Sequence, residues 1–223
     1  DLRSFHRWLA TRLGRDDLAY VIEPKYDGLA VSLTYEQGRL VRAVTRGNGV
    51  VGDDITANVR GLAGLPRELA GQRLPEFVEV RGEVYVPYDE FARVNRAREA
   101  AGEPLFAHPR TLAAGTVRQL DATVVAQRGL RVVCFGVGAC EPRSLLPATQ
   151  HELAGMFKAW GLPAIVDGWA AQGGEEMVRA VAACGRARSQ FAFPVDGAVV
   201  KLDALALQRD VGAGEAAPRW AIA

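Results

Sequence analysis

The chain has 223 residues, 49% of them apolar and 24% charged, with a formal net charge of +1. That length and apolar content suit one large domain or two small ones with a genuine core. No apolar run approaches the roughly 18 residues that span a bilayer, and the balanced charge argues against a dedicated polyanion-binding tail. The opening Asp1-Leu2-Arg3-Ser4-Phe5 lacks the basic start and apolar stretch of a signal peptide. Without an initiator Met, the chain is expected to be a fragment of something longer.

In chain order, Leu2, Phe5, Leu9 and Leu13 fall on one side at helical spacing, with Gly14 as a stop. From Ala19 the period changes to two. Ala19 to Glu23 reads as a strand, Leu29 to Tyr35 alternates as a second, and Glu36-Gln37-Gly38-Arg39 reads as a hairpin turn into a third at Leu40 to Thr45. These three are expected to form one antiparallel meander. Phe77 to Val86 alternates and is stopped by Pro87; a helix follows through Phe91, Val94 and Arg98, with Asp89 as expected N-cap and Gly102 beyond its end. Leu130 to Val137 reads as a strand. Thr149-x-x-Glu152 is a capping box opening a helix closed by Gly161. Glu175 to Arg186 reads as a helix and Val195 to Leu202 as a strand. Hairpins mixed with isolated helices favour an α+β fold over a doubly wound parallel sheet.

Cys134, Cys140 and Cys184 form no Cys-x-x-Cys pair and no zinc-like cluster with His6, His108 or His151. They are expected to be free thiols of a cytoplasmic protein with no structural metal. The basic residues are more informative: 24 are arginine, and only Lys25, Lys158 and Lys201 are lysine. A guanidinium cannot act as an amine nucleophile, so each lysine is a candidate for chemistry that arginine cannot perform. Lys158 matches no motif and reads as a solvated surface residue.

Gly47-Asn48-Gly49-Val50-Val51-Gly52 matches G-x-G-x-x-G, which taken alone suggests a dinucleotide-binding turn. The context opposes it. The preceding strand belongs to a hairpin, and Asp53-Asp54 follow directly, where they would repel a pyrophosphate. The stronger signal is Glu23-Pro24-Lys25-Tyr26-Asp27-Gly28. On position alone, its Lys and Asp could equally form an ordinary ion pair.

With the rest of the chain, the sequence resembles the adenylation (nucleotidyltransferase) domain of the bacterial NAD-dependent DNA ligases. Lys-x-Asp-Gly is shared by all covalent nucleotidyltransferases. More specific to the NAD-dependent branch are Thr45-Arg46-Gly47-x-Gly49-x-x-Gly52-x-Asp54-x-Thr56-x-Asn58-Val59-Arg60, Val80-Arg81-Gly82-Glu83-Val84 and Phe106-Ala107-x-Pro109-Arg110. Ala113-Ala114-Gly115, Arg118-Gln119-Leu120-Asp121, Phe135-Gly136-Val137-Gly138, Asp196-Gly197-x-Val199-Val200-Lys201 and Ala217-Pro218-Arg219-Trp220-Ala221 complete the set in order. The chain departs from the family at Thr111-Leu112, where Asn-Ala is usual, at Asn48, where Asp is common, and at His108, read here as a non-catalytic loop residue.

The resemblance implies a covalent nucleotidyltransferase (ATP-grasp-like) fold, antiparallel sheets flanked by helices. It implies Lys25 as the nucleophile that takes AMP from NAD, transfer of AMP to the 5′-phosphate of nicked double-stranded DNA, and sealing by the 3′-hydroxyl. A free lysine amine holds its proton to about pH 10.4, so neighbouring cations and partial burial are needed to free it. Glu23 is expected near the adenine, Phe135 stacked on it, Glu83 on a ribose hydroxyl, and Arg46 on the ribose or phosphate side. Asp27 would orient the lysine, Asp196 opens the Asp-Gly-x-Val-Val-Lys strand, and Lys201 would face the α-phosphate. Mg²⁺ (Mn²⁺ as substitute) would bind through Asp27, Glu83 and Asp196, and Arg110 and Arg118 would contact DNA phosphates. Residues 1–16 would be the exit helix of a missing subdomain that binds nicotinamide mononucleotide. Residues 17–223 would be the adenylation domain, cut before its last motif, monomeric, and followed by further C-terminal domains in the parent protein. The fragment alone is expected to be impaired in the NAD step. Two readings remain beside this one: an ATP-dependent nucleotidyltransferase, and a non-catalytic DNA-binding or scaffold remnant of the same fold.

Overall fold

The computed structural model describes residues 1–47, 51–119, 121–165, 167–214 and 217–223, with the side chain of Ala122 excepted. The second, third and fourth residues of the glycine-rich motif, Asn48, Gly49 and Val50, and Leu120 of the Arg118–Asp121 motif therefore lie outside the described residues. Two four-stranded antiparallel sheets carry the fold. The first contains β1 (Ala19–Tyr26), β6 (Trp169–Gln172), β7 (Val195–Leu202) and β8 (Ala221–Ile222) in the order β6-β1-β7-β8. The second contains β2 (Leu29–Glu36), β3 (Arg39–Thr45), β4 (Phe77–Tyr85) and β5 (Arg131–Glu141) in the order β3-β2-β4-β5.

Each sheet has its own core. In the first sheet, Tyr20 and Ile22 of β1 and Val200 and Leu202 of β7 pack against Leu9 of α1 (Leu2–Leu13), Met177 and Cys184 of α7 (Gly173–Ala187) and Val211 of α8 (Leu205–Val211). In the second, Leu33, Val80 and Val132 pack with residues of α2 (Thr56–Val59), α4 (Pro109–Val117), α5 (Ala122–Gln127) and α6 (Gln150–Ala159). Strand alternation then leaves the opposite face of β1, carrying Val21, Glu23 and Lys25, turned away from its helices. The remaining helix, α3 (Tyr88–Ala100), follows β4.

Where local chemistry is strong, sequence and structure agree. Gly14 ends α1 in the left-handed conformation with its N–H on Ala10 O, and Gln37 (φ 49°) and Gly38 (φ 76°) turn the β2–β3 hairpin. The capping box is complete, Thr149 accepting from the Glu152 N–H and Glu152 from the Thr149 N–H. All three thiols are buried, and Trp220 packs against the first sheet's core.

Two expectations need correction. The first three strands do not form one meander: β1 pairs with β6 and β7, while β2 pairs with β3 and β4. The cause is local. A bulge between Lys25 and Tyr26 breaks the register, and Gly28 then runs so close to β4 that any Cβ would collide with the Val84 carbonyl. Only glycine lets the chain pass there, so it leaves one sheet and enters the other within two residues. Second, α3 is capped by Pro87 and starts at Tyr88, two residues before an Asp89 cap would start it; the Tyr88 N–H bonds Ala192 O, and Asp89 lies in the first turn, where its charge favours the helix N-terminus. As the sequence context indicated, Gly47 follows a strand antiparallel to its neighbour, and among the described residues that strand opens no parallel βαβ unit for a dinucleotide fingerprint. Gly47 and Gly52 each permit a close backbone approach, since a Cβ on Gly47 would strike the Val51 carbonyl and one on Gly52 the Thr45 carbonyl.

Candidate active site at the junction of the two sheets

The sheet switch at Asp27-Gly28 places Lys25 where the two sheets meet. Lys25 lies opposite Gly197 across the β1–β7 ladder, and the bulge beside it leaves Asp196 facing the amine. Lys25 Nζ donates to both carboxylate oxygens of Asp196 at 2.7 Å. The pair is open to water, with side-chain exposures of 38% and 36%. Beyond the turn, Asp27 is mostly covered and accepts from Arg110 Nη1 at 3.0 Å. His108 caps α4 by accepting the Arg110 N–H on Nδ1 at 3.2 Å, which leaves Nε2 3.7 Å from Asp27 Oδ2.

Glu83 projects from β4 beside this group, on the residue opposite Ala30. Burial pushes its carboxyl up to about 7, against the opposing pull of Arg110, Lys25 and a backbone hydrogen bond from Gly28; Asp27 adds to the rise. Arg46 follows the end of β3 and bonds its N–H to Ala30 O at 3.1 Å, which brings its backbone to the same end of the second sheet. Arg118 holds Asp53 at 2.8 Å, next to the glycine-rich loop rather than next to Lys25.

Two residues further into the first sheet a second lysine pair appears. Lys201 Nζ lies 2.6 Å from Glu23 Oε2, with exposures of only 7% and 9%. The ammonium also donates to Phe135 O at 2.8 Å and sits 5.1 Å from the centre of the Phe135 ring. The charges are buried but paired, and the ammonium has a second acceptor, which is the condition for burying them at tolerable cost. Lys201 lies opposite Val21, four positions along β1 from Lys25. Its neighbours are thus Glu23 and Phe135, the two residues expected at the purine.

Asp196 is engaged by Lys25 and Asp27 by Arg110, and among the described residues no group of three or more His, Cys, Asp or Glu stands together to hold an ion. Asp27, Glu83 and Asp196 do not form one ligand set. Mg²⁺ commonly binds through one or two carboxylates plus substrate phosphates, so such an ion would depend on the nucleotide for its remaining oxygens.

Sequence reasoning missed Gln150 and Gln208, whose buried amides back Glu23 and Phe135. Nothing flags a glutamine in a helix as part of a site, because its partners come from β1, β5 and α8.

The family described as NAD-dependent DNA ligase adenylation domain matches residues 1–223. The chain is 56% identical over 226 residues to DNA ligase 1 of Opitutus terrae, covering 100% of this chain and 34% of that protein. It is 44% identical over 226 residues to the DNA ligase of Trichlorobacter lovleyi, covering 100% and 33%. The chain thus spans about a third of the length of the curated relatives it matches. A solved structure titled Pmar-Lig_Pre. superposes on 86% of this chain and 40% of its own with a TM-score of 0.50 at 13% identity, a likeness of fold. Among the described residues no helix is long and apolar enough to cross a membrane. With the α+β nucleotidyltransferase fold in place and the family matched from end to end, the chain belongs to the NAD-dependent DNA ligase adenylation domain family.

Proposed function

We propose that this chain captures AMP from NAD on Lys25 and passes it to the 5′-phosphate of a nick in double-stranded DNA, as the adenylating part of a DNA ligase. The observation that carries the reading is the convergence of Asp196, Asp27, Arg110 and Glu83 around one partly exposed lysine at a sheet junction. Lys25 Nζ attacks the α-phosphorus of the adenylyl group. An N–P bond forms as the P–O bond to nicotinamide mononucleotide breaks, and the amine proton leaves to Asp196 or to water. No electrons change hands. Arg110, beside Asp27, offers positive charge to the phosphate as negative charge develops there.

The buried pair serves the purine. Adenine carries a donor, its amino group, beside an acceptor, N1. Glu23 and Lys201 offer an acceptor beside a donor, and the partly exposed Phe135 ring stands next to them as a stacking face. Glu83 suits a ribose hydroxyl, and Arg46 the ribose or phosphate side. In the second step the adenylyl group moves from Lys25 to the DNA 5′-phosphate, and the 3′-hydroxyl then displaces AMP. Arg110 and Arg118 are assigned to DNA phosphates, which position a duplex without reading its sequence. Mg²⁺ would neutralise phosphate charge; no step above is routed through it.

The test is intact-mass spectrometry of the full-length protein after incubation with NAD or with ATP, each with Mg²⁺. One adenylyl group per molecule is expected from NAD, mapping to Lys25. Labelling from ATP alone, or an adduct on another residue, would refute the reading.

A further inference from the structure

Gln150 and Gln208 take no part in the chemistry above, yet they are buried to 4% and 7% exposure directly behind Glu23 and Phe135. Gln150 is the first residue of α6, pinned by its N–H to Asp203 O at 2.7 Å, and Gln208 lies in α8. Their amides form a chain that can run in one direction only. The Leu202 carbonyl can only accept, so Gln208 turns Nε2 towards it at 2.7 Å. The same nitrogen donates to Gln150 Oε1 at 3.4 Å. The oxygen of Gln150 is thereby used, and its Nε2 must serve the other side, donating to Phe135 O at 2.9 Å and to Glu23 Oε1 at 3.4 Å. With Lys201 on Oε2, both oxygens of Glu23 receive donors from the protein. Such a carboxylate is fixed in orientation and held as an acceptor.

We propose that Gln150, oriented by Gln208, is a positioning residue that sets the purine specificity of the site: it keeps Glu23 an acceptor and so favours a 6-amino purine over a 6-oxo purine. The inference rests on the adenylate reading of the site and deepens it. A 6-amino group donates to Glu23 while N1 accepts from Lys201. A 6-oxo group sets lone pairs against the Glu23 carboxylate and an N1–H against the Lys201 ammonium, so both contacts reverse sign. Without Gln150, Glu23 Oε1 loses its donor and the carboxylate is free to turn, so its acceptor no longer stands fixed opposite the 6-position. Discrimination then falls even where affinity for AMP survives.

The experiment is calorimetric binding of AMP and of IMP to the full chain, with circular dichroism to confirm folding, for the unsubstituted protein, Gln150→Met and Gln208→Met. Methionine keeps the volume and flexibility of glutamine and removes its donors. The unsubstituted protein should prefer AMP. In Gln150→Met that preference should fall about tenfold, the scale of one hydrogen bond to a charged group, and in Gln208→Met it should fall less. If Gln150→Met does not fold, the ratio in Gln208→Met decides. Equal weakening of AMP and IMP, or an unchanged ratio in a folded variant, overturns the inference and leaves the adenylate reading standing. Absence of any AMP preference in the unsubstituted protein overturns both.

Discussion

Two lysine–carboxylate pairs hang on the same two strands, and water separates their behaviour. Lys201–Glu23 and Lys25–Asp196 both join β1 to β7, at 2.6 and 2.7 Å. The first is mostly buried and tied into the Phe135 carbonyl and the Gln150 amide. The second stands at the sheet junction, more than a third exposed on each side. Exposed ion pairs contribute about 0–1 kcal/mol, whereas removing one partner of a buried pair costs about 3–5 kcal/mol. In the proposed function a nucleophile has to part from its counter-ion and a specificity pair must not, and the two pairs differ in depth along one strand in that sense.

The largest effect that could break this comparison is chemical. Lys25→Arg should abolish the covalent AMP adduct in intact-mass spectra while leaving thermal unfolding nearly unchanged, because guanidinium keeps the charge opposite Asp196 but cannot attack phosphorus. An adduct that persists on this variant removes Lys25 from the mechanism.

Lys201→Met should show the reverse. It leaves Glu23 buried without its ammonium, and urea unfolding should reveal a loss of about 3–5 kcal/mol. A loss no larger than that of an exposed pair would mean that depth is not the distinction.

Next comes Glu83, whose carboxyl is raised to about 7 from its ordinary 4.5, chiefly by burial. A raised value means the folded protein holds the proton more tightly than the unfolded chain does. The stability tied to the neutral form is full below about pH 4.5 and drains away as pH climbs through about 7. Glu83→Gln removes this dependence, so its stability relative to the unsubstituted protein should improve by on the order of 2 kcal/mol between pH 5 and 8. Parallel pH profiles for the two proteins in urea melts would contradict the burial argument. If ionised Glu83 accepts from the ribose, AMP binding should strengthen across the same interval, and Glu83→Gln should flatten that trend.

Asp196→Asn should be the mildest to the fold. Loss of an exposed partner is worth less than about 1 kcal/mol, so melting should hardly move while the rate of adduct formation falls. A large drop in stability would show that the outer pair, too, is structural.

Legibility in the sequence followed how local the cause was. The hairpin at Gln37-Gly38, the Thr149 capping box and the Gly14 stop are decided by backbone conformations that particular residues favour, and all were readable. The short helices α2, α4, α5 and α8 were not. They span 4, 9, 6 and 7 residues, too short for a clear apolar period, and they form because a sheet face needs covering. Among candidate residues, the scarcity of lysine picked out Lys25, Lys158 and Lys201, and the motifs set Lys158 aside and supplied Glu23, Asp27, Glu83, Phe135 and Asp196. The partners were hidden: Arg110 on Asp27 is 83 residues away, and Gln150 on Glu23 is 127 residues away.

By itself the sequence determined which groups were available, an amine among guanidinium groups, carboxylates beside glycines and an aromatic in a strand, because residue chemistry does not depend on what lies nearby. It also determined the α+β character through periodicity. Only the tertiary structure decided that one lysine is mostly buried and another is open. Burial, pairing and the Glu83 proton all depend on how much water remains once two sheets close on each other, and that depends on residues far apart in the chain.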